Sequence, residues 1–546
     1  MIKHFTKYLL CFGEAIFLFS SCAPRAVETQ AADWRESGVC YEIFVRSFYD
    51  SDGDGVGDLQ GLIQKLDYVN DGDPRGGTDL GANCIWLMPV AESPSYHGYD
   101  VTDYYTVNPD YGSNEDFKQF TDAAHERSIR VLVDMVINHT SSQHPVFQES
   151  VSDQDSEYRD WFRWSPSPGP DNEYGDSNWR EASGGEDYYY GFFSSRMPDL
   201  NWGTEAVREE MKKAASFWLD DMGADGLRLD AVRHLMEDDE GRSTNVARTH
   251  DMLREYGEYV REAHPGSYTV GEVFNGGEEF LAYYPDQLDA YFAFGVSDAI
   301  LDAVKSGSAA GFYDELLRLQ ETVPNDRYAP FLRNHDQTRT LTVLEGDVAR
   351  AKLAASLLLT MPGVPFVYYG EELGMTGDKP DRRLRTPMHW ELGPTAGFTT
   401  GEPWEPLQAD SLTANVEALA GDAGSILNHY RELIRLRSSC PVLGANAELV
   451  PLETSSPAAV AFLRQQVDGA AVVVANLGDE PLAGVTLSGR TSVLPPGVDY
   501  MPKVVLGDTH ATSLLEVGEN GGFEDFSPLE TLEPLQAYVL ALSACR

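Results

Sequence analysis

Three acidic residues of this 546-residue chain stand where short apolar runs end. Asp230 closes Asp225-Gly226-Leu227-Arg228-Leu229. Glu272 closes Tyr268-Thr269-Val270-Gly271. Asp336 follows Ala329-Pro330-Phe331-Leu332-Arg333 through Asn334-His335. Paired carboxylates flanking a glycosidic bond are the usual apparatus for its hydrolysis. One attacks the anomeric carbon. The other, its pKa raised by its surroundings, protonates the leaving oxygen and later deprotonates water. Arg228 precedes Asp230 by two residues, and on a strand i and i+2 share a face. A fixed cation there is expected to keep Asp230 ionised. A lone acidic residue of this kind is usually a solvated turn residue. Three of them, each at a strand end and beside His or Arg, are poorly explained that way.

The elements that must position these residues follow from the runs themselves. Arg130-Val131-Leu132-Val133-Asp134-Met135-Val136-Ile137 has the same design and ends at Asn138-His139. Helical patterns lie between several runs, as from Thr204 to Met222, with apolar Ala206, Met211, Ala215, Trp218 and Leu219. Strands alternating with helices indicate parallel β/α units. Chemistry gathered at the strands' carboxyl ends fits an α/β fold of the (β/α)8 TIM-barrel type. A doubly wound sheet is the rival, but the sequence has neither GxGxxG nor a Walker A motif. Residues 140–195, rich in Ser, Asp, Gly, Pro, Tyr and Trp, are too long for a plain connection and read as an inserted domain after the third strand. From about Ala447 the helices stop. Val460–Arg464, Ala470–Asn476 and Gln536–Leu542 read as strands of a C-terminal all-β sandwich domain. The expected division is residues 34–139 and 196–446 for the barrel, 140–195 for the insert and 447–546 for the β domain.

At these residues the sequence resembles the α-amylase family of glycoside hydrolases, family 13. Asp134–His139, Gly226–His234, Gly271-Glu272-Val273, Arg333–Asp336 and Gly363–Glu372 match five family motifs in order. The resemblance implies that Asp230 is the nucleophile, Glu272 the general acid/base, and Asp336 the carboxylate that binds sugar hydroxyls and distorts the ring. It implies that His139 and His335 hydrogen-bond the sugar, that Arg228 partners the nucleophile, and that Tyr99 is the platform beneath the sugar. Arg233 stands for the commoner Lys near the leaving side. Arg385, in Arg385–Trp390, and Met197–Asn201 resemble the group intermediate between oligo-1,6-glucosidases and neopullulanases, which includes lipoprotein α-amylases. Relatives that trim chain ends often carry Asp where Tyr96 stands, so an open cleft and internal cleavage are expected. The implied partner is an α-glucan or maltooligosaccharide, cleaved with retention through a covalent glycosyl-enzyme.

Asp50-Ser51-Asp52-Gly53-Asp54-Gly55-Val56-Gly57-Asp58 alternates carboxylates with glycines. Hard oxygen ligands in a tight turn suit Ca²⁺. An EF-hand is disfavoured, because Gly61 stands where its bidentate Glu would be. The resemblance implies Asp50, Asp52, Asp54 and Asp58 as side-chain ligands and Val56 as the carbonyl ligand. It also places Asn138 on a ligand of a second calcium site whose other members the sequence does not reveal.

The composition limits the partners. Hydrophobic residues at 42% and charged residues at 23% describe an ordinary globular protein. The 41 basic and 87 acidic residues leave a net charge of −46, which repels phosphate backbones and argues against nucleic acid. Such acidity also suits high salt. A basic start at Lys3 and Lys7, an apolar stretch over Tyr8–Phe19 and Ser20-Ser21-Cys22 read as an export signal over residues 1–22 of lipoprotein type. Cys22 would then be acylated, and this anchor would be the chain's one tie to a membrane. Simple secretion is the alternative, and a monomer is expected. Cys40, Cys84, Cys440 and Cys545 match no zinc pattern and read as small buried thiols, with no disulfide predicted.

Three readings compete. The first is an exported endo-acting hydrolase of α-1,4-glucans. The second is a neopullulanase, oligosaccharide α-glucosidase or 4-α-glucanotransferase sharing the same nucleophile. The third, from another class, is a glucan-binding or transporter-associated protein without catalysis. The presence of all three carboxylates counts against it.

Overall fold

Eight short strands line one ring: β1 Cys40–Ile43, β2 Cys84–Leu87, β3 Arg130–Met135, β4 Gly226–Leu229, β5 Tyr268–Gly271, β6 Ala290–Phe292, β7 Tyr328–Ala329 and β8 Phe366–Tyr368. The computed structural model describes residues 33–545, apart from 74–75, 170–176, 184–186, 239–241, 275–276, 491–492 and 544. The signal segment expected over residues 1–22 lies outside the described residues. Apart from Arg130, every residue of these strands is buried. Burial on both faces is what parallel strands covered by helices require. All the pairings are parallel, in the order β7-β6-β5-β4-β3-β2-β1-β8. The Val364 and Phe366 N–H groups donate to the Tyr328 and Pro330 carbonyls at 3.0 and 2.8 Å, joining the two ends of the sheet. The result is the expected barrel. Its interior is packed with Trp86, Leu132, Val270, Phe292, Phe331 and Phe366.

The expected helix over Thr204–Met222 is α-helical over Glu205–Ser216 and widens into a π-turn over Phe217–Asp221. The run Ala329–Arg333 is a strand only at its start. Pro330 has no N–H to continue the ladder, so the chain leaves the sheet and carries Asn334, His335 and Asp336 on a loop above the barrel.

Among its described residues the insert holds one α-helix, Pro145–Ser152, started by Pro at its first position and capped by the His144 ring. It also holds a three-stranded antiparallel sheet of Trp164–Ser165, Tyr188–Tyr190 and Trp179–Glu181. Its tryptophans and tyrosines pack largely on one another. Phe147 meets Phe162 and Tyr189, both at 4.9 Å between ring centres, and Trp179 meets Tyr190 at 5.4 Å. The C-terminal region forms a five-stranded antiparallel sheet built on Ala459–Gln466, Gly469–Asn476 and Ala537–Ala541, faced by a smaller three-stranded sheet. The two share a core that includes Leu463, Val474, Leu487, Phe523 and Leu540. Among the described residues no helix is long and apolar enough to cross a membrane.

The cysteines correct the expectation of free thiols. Cys40 pairs with Cys84, and Cys440 with Cys545. The first pair faces across β1 and β2 in direct register. The second ties the end of helix Ile426–Ser439 to the chain terminus. Both pairings depend on neighbours set by the fold, which spacing along the chain does not show. The second bond closes a separation of 105 residues. Constraining so long a loop in the unfolded chain is worth on the order of 2–4 kcal/mol. Replacing Cys440 and Cys545 together by Ser should therefore lower the melting temperature by several degrees in a calorimetric scan, and reductant should do so for the native chain.

Candidate active site

Parallel strands in a ring present all their carboxyl ends on one face, and the chemistry collects there. β4 ends at Arg228 and Leu229 before Asp230, and β5 ends before Glu272. Ala231, directly after Asp230, has φ of 50°, a left-handed turn uncommon for a residue with a side chain. Strain of this kind persists where the surroundings fix the chain, and such places cluster at functional sites.

Arg228 is the centre of the cluster. Its side chain is wholly buried, with the guanidinium 5.0 Å from the Trp86 ring. Nη1 donates to both oxygens of Asp134 at 2.9 Å and to Asp230 Oδ1 at 2.8 Å, while Nη2 donates to Glu272 Oε2 at 2.6 Å. One cation thus serves three carboxylates. Burial pushes Asp230 up to about 6, with Arg228 pulling against it and Asp134 and Asp336 adding to it. Arg228 favours the ionised form of Asp230, as its place two residues earlier suggested, but the guanidinium is shared and burial outweighs it. Burial pushes Glu272 further, to about 7, with Asp230 and Asp336 adding to the rise against Arg228. Asp230 remains the first of the two to ionise.

Asp336 sits opposite. Arg385 Nη2 donates to its Oδ1 at 2.6 Å, and His335 Nε2 lies 3.3 Å from its Oδ2. Its side chain keeps 44% of its surface open to the cleft. Burial works against its charge but is outweighed by His335 and Arg385, which hold the carboxyl well below the usual range. Tyr99 is buried beneath the cleft. Its ring stacks on His335 at 5.5 Å, and its hydroxyl bonds Asp134 and His335. His139 is also present, but both ring nitrogens have protein partners, the Tyr99 carbonyl at 3.1 Å and the Asn138 amide at 3.3 Å. A sugar hydroxyl can reach Nε2 only by sharing it with Tyr99. Burial lowers the His139 pKa to about 3, so the ring is neutral. Arg233 lines the cleft with its guanidinium bonded to the Phe274 carbonyl.

The cleft holds about 1160 Å³ and brings together Asp230, Glu272, Asp336, Tyr99, His139, Arg233 and Arg385. Arg228 lies beneath them. Phe193 and Phe274 stand on its walls, 45% and 46% exposed, and offer apolar faces to a sugar ring. Sequence reasoning assigned no role to Asp134 or Glu42. Each interrupts an apolar strand with a buried charge, and that interruption was the available signal.

In the acidic loop, Asp50, Asp52 and Asp58 bring one carboxylate oxygen each within 4.8 Å of one another, a donor set that fits a hard cation. Asp54 is outside this group and accepts the Val56 N–H at 2.8 Å. Asp50 also accepts the Gly53 and Gly55 N–H groups, which close the loop on itself, and the Thr399 hydroxyl, which ties it to the 398–404 segment. Asn138 is buried beside Asp199. One oxygen of each has no protein partner, and the second calcium site expected there is not completed by any further assignment.

A parallel eight-stranded barrel that gathers linked carboxylates in a cleft of this size is the architecture of a glycoside hydrolase. The family model described as "Alpha amylase, catalytic domain" matches residues 42–445, and the chain belongs to that family. It is 40% identical over 483 residues to "Alpha-amylase 3" of Dictyoglomus thermophilum, covering 87% of this chain and 91% of the relative. It is 31% identical over 553 residues to an oligo-1,6-glucosidase of Parageobacillus thermoglucosidasius, covering 87% and 94%. Among solved structures, the α-amylase from H. orenii superposes with a TM-score of 0.79 at 38% identity, over 93% of this chain and 99% of that one.

The two carboxyls set a pH window. Below about 6 Asp230 takes up a proton, and above about 7 Glu272 loses one. A dyad that needs the first ionised and the second protonated is active between these values. kcat/KM on an α-glucan should be bell-shaped with its maximum between about 6 and 7, whereas a flat profile from about pH 5 to about 8 would contradict the assignment.

Proposed function

We propose that this protein is a retaining, endo-acting hydrolase of α-1,4-glucosidic bonds in starch, glycogen or maltooligosaccharides. The observation that carries the reading is the single Arg228 guanidinium holding Asp230 and Glu272 on its two terminal nitrogens. Carboxylates held by one guanidinium stay close, which favours the separation of about 5–5.5 Å used by retaining enzymes over the wider spacing of inverting ones. In this reading Asp230 attacks the anomeric carbon and Glu272 protonates the leaving oxygen. The covalent glycosyl-enzyme is then hydrolysed by water that Glu272 deprotonates. Asp336, held by Arg385 and His335, accepts hydrogen bonds from the sugar hydroxyls. Tyr96, which stacks on Trp404 at 5.4 Å under the Arg382 guanidinium, supports endo action, because the family resemblance implies that relatives trimming chain ends often carry Asp there. A second reading, an oligosaccharide α-glucosidase, draws on the 31% identity to the oligo-1,6-glucosidase.

Calcium and export belong to the same proposal. Asp50, Asp52 and Asp58 would hold Ca²⁺ and stiffen a loop that bonds the 398–404 segment. The two disulfides support export, because such bonds persist in oxidising compartments. The chain would then act as an anchored lipoprotein or a secreted monomer.

A timed product profile from maltoheptaose tests the function, with Asp230→Asn as control. Mid-sized products should come first, and the control should lose at least about a thousandfold in kcat. Glucose alone would mean an exo-glucosidase, and products longer than the substrate a transferase. EDTA should lower the melting temperature by several degrees, with added Ca²⁺ restoring it. An unchanged melting curve would remove the calcium assignment.

A further inference from the structure

His335 lies between two carboxylates on opposite sides of its ring. Nδ1 is 2.6 Å from Glu42 Oε1, and Nε2 is 3.3 Å from Asp336 Oδ2 and 2.6 Å from the Tyr99 hydroxyl. Nε2 faces the Asp336 carboxylate, which when ionised only accepts, so Nε2 carries a hydrogen; the Tyr99 hydroxyl then accepts from Nε2 and its own proton goes to Asp134 Oδ2 at 3.1 Å. Nδ1 faces a carboxylate, and an ionised carboxylate only accepts. A neutral imidazole has one N–H, and this environment asks for two.

We propose that Glu42 is a positioning residue that holds His335 as an imidazolium, which fixes Asp336 and Tyr99 in the orientation the sugar needs. The proposal rests on the hydrolase reading above and deepens it. Glu42 is in β1, is 2% exposed and lies behind His335, outside the lining of the cleft, so it does not touch the sugar itself. Its charge acts through the ring. A directed chain runs from Glu42 through His335 to Tyr99, then to Asp134 and the shared Arg228 guanidinium. Loss of the Glu42 charge leaves His335 one proton. If that proton sits on Nδ1, Nε2 becomes an acceptor. The Tyr99 proton then turns from Asp134 towards the ring, and Asp336 faces a lone pair in place of a donor.

The charged and titratable groups facing His335 are Glu42 from β1, Asp336 on its own loop, Tyr99 with Asp134 and Arg228 beyond it, and Glu272 after β5, with Arg385 donating to its backbone carbonyl at 3.0 Å. The Trp86 ring meets the imidazole edge-on at 5.7 Å and gives no counter-charge. Burial opposes the imidazolium, but Asp336 and Glu42 outweigh it and raise the ring to about 9.

The test uses the full-length enzyme labelled with ¹⁵N in histidine, the His335 signal being assigned by its loss in His335→Gln. At about pH 8, both ring nitrogens of His335 should be protonated, with the Nδ1 proton far downfield. A neutral His335 there overturns the proposal and needs no variant to fold. Glu42→Gln should lose the second ring proton, lower kcat about tenfold or more at neutral pH, and, because the imidazolium charge that lowers Glu272 is gone, move the alkaline limb of kcat up. A Glu42→Gln enzyme that loses rate while its alkaline limb stays in place would reduce Glu42 to a packing role and overturn the proposal. The histidine signals are read without substrate. An enzyme that fails to cleave α-glucans yet shows the doubly protonated ring would overturn the substrate reading and keep this one.

Discussion

A buried guanidinium shared among carboxylates organises this molecule. Arg228 sits on the packed interior of the barrel with no exposed side-chain surface and contacts Asp134, Asp230 and Glu272. Taking any one of these charges out of water alone would cost several kcal/mol. Taken together they are tolerated, because each acid finds the same cation and the cation is held in place by all of them. Three carboxylates against one guanidinium leave a surplus of two negative charges when all are ionised. Burial raises both Asp230 and Glu272 and that surplus adds to the rise, leaving one carboxyl inclined to ionise and its neighbour inclined to keep a proton. The property that permits acid–base chemistry is thus the residue of an electrostatic imbalance that the fold does not relieve.

The barrel makes that imbalance possible through register. Asp134 on β3 and Arg228 on β4 are direct neighbours in the parallel ladder, and Val270 on β5 is level with Arg228. Glu272 therefore rises beside Asp230 at the same height. Asp336 comes from a different device. Pro330 ends β7 early, and the freed chain lifts His335 and Asp336 over the cleft, where Arg385 meets them. One side of the site is built on rigid strands and the other on a loop. The loop side is cross-braced by the buried Glu42, His335 and Tyr99 contacts.

Two further regions support the cleft without entering its chemistry. The insert spends its tryptophans and tyrosines on its own small core and sends Phe193 to the wall of the cleft. The acidic loop after β1 bonds the 398–404 segment, whose Trp404 stacks on Tyr96 at the cleft's edge. Where barrel and β domain meet, Arg437 and Arg464 are fully buried and donate to backbone carbonyls such as those of Leu359, Met361, Gly444 and Ala447. Leu359 ends the helix Val348–Leu359 and Met361 follows it, so Arg437 caps that end, where Arg464 also reaches the Thr360 carbonyl.

The chain's local chemistry determined much of this by itself. Apolar runs ending in acids identified the barrel strands, because burial on both faces leaves no alternating pattern and polar residues survive only at the ends. Asp230, Glu272, Asp336 and Arg228 were legible for that reason, and the turn-rich stretch after Asn138-His139 marked the insert. The tertiary structure decided the rest. The sharing of Arg228 with Asp134, the pairing of Cys40 with Cys84 and of Cys440 with Cys545, and the placement of Glu42 behind His335 all join residues far apart in the chain. Contacts across strands depend on register and closure, which act only once the ring has formed. Spacing can state which groups are available, but the pKa of each is set by neighbours that folding brings within hydrogen-bond reach.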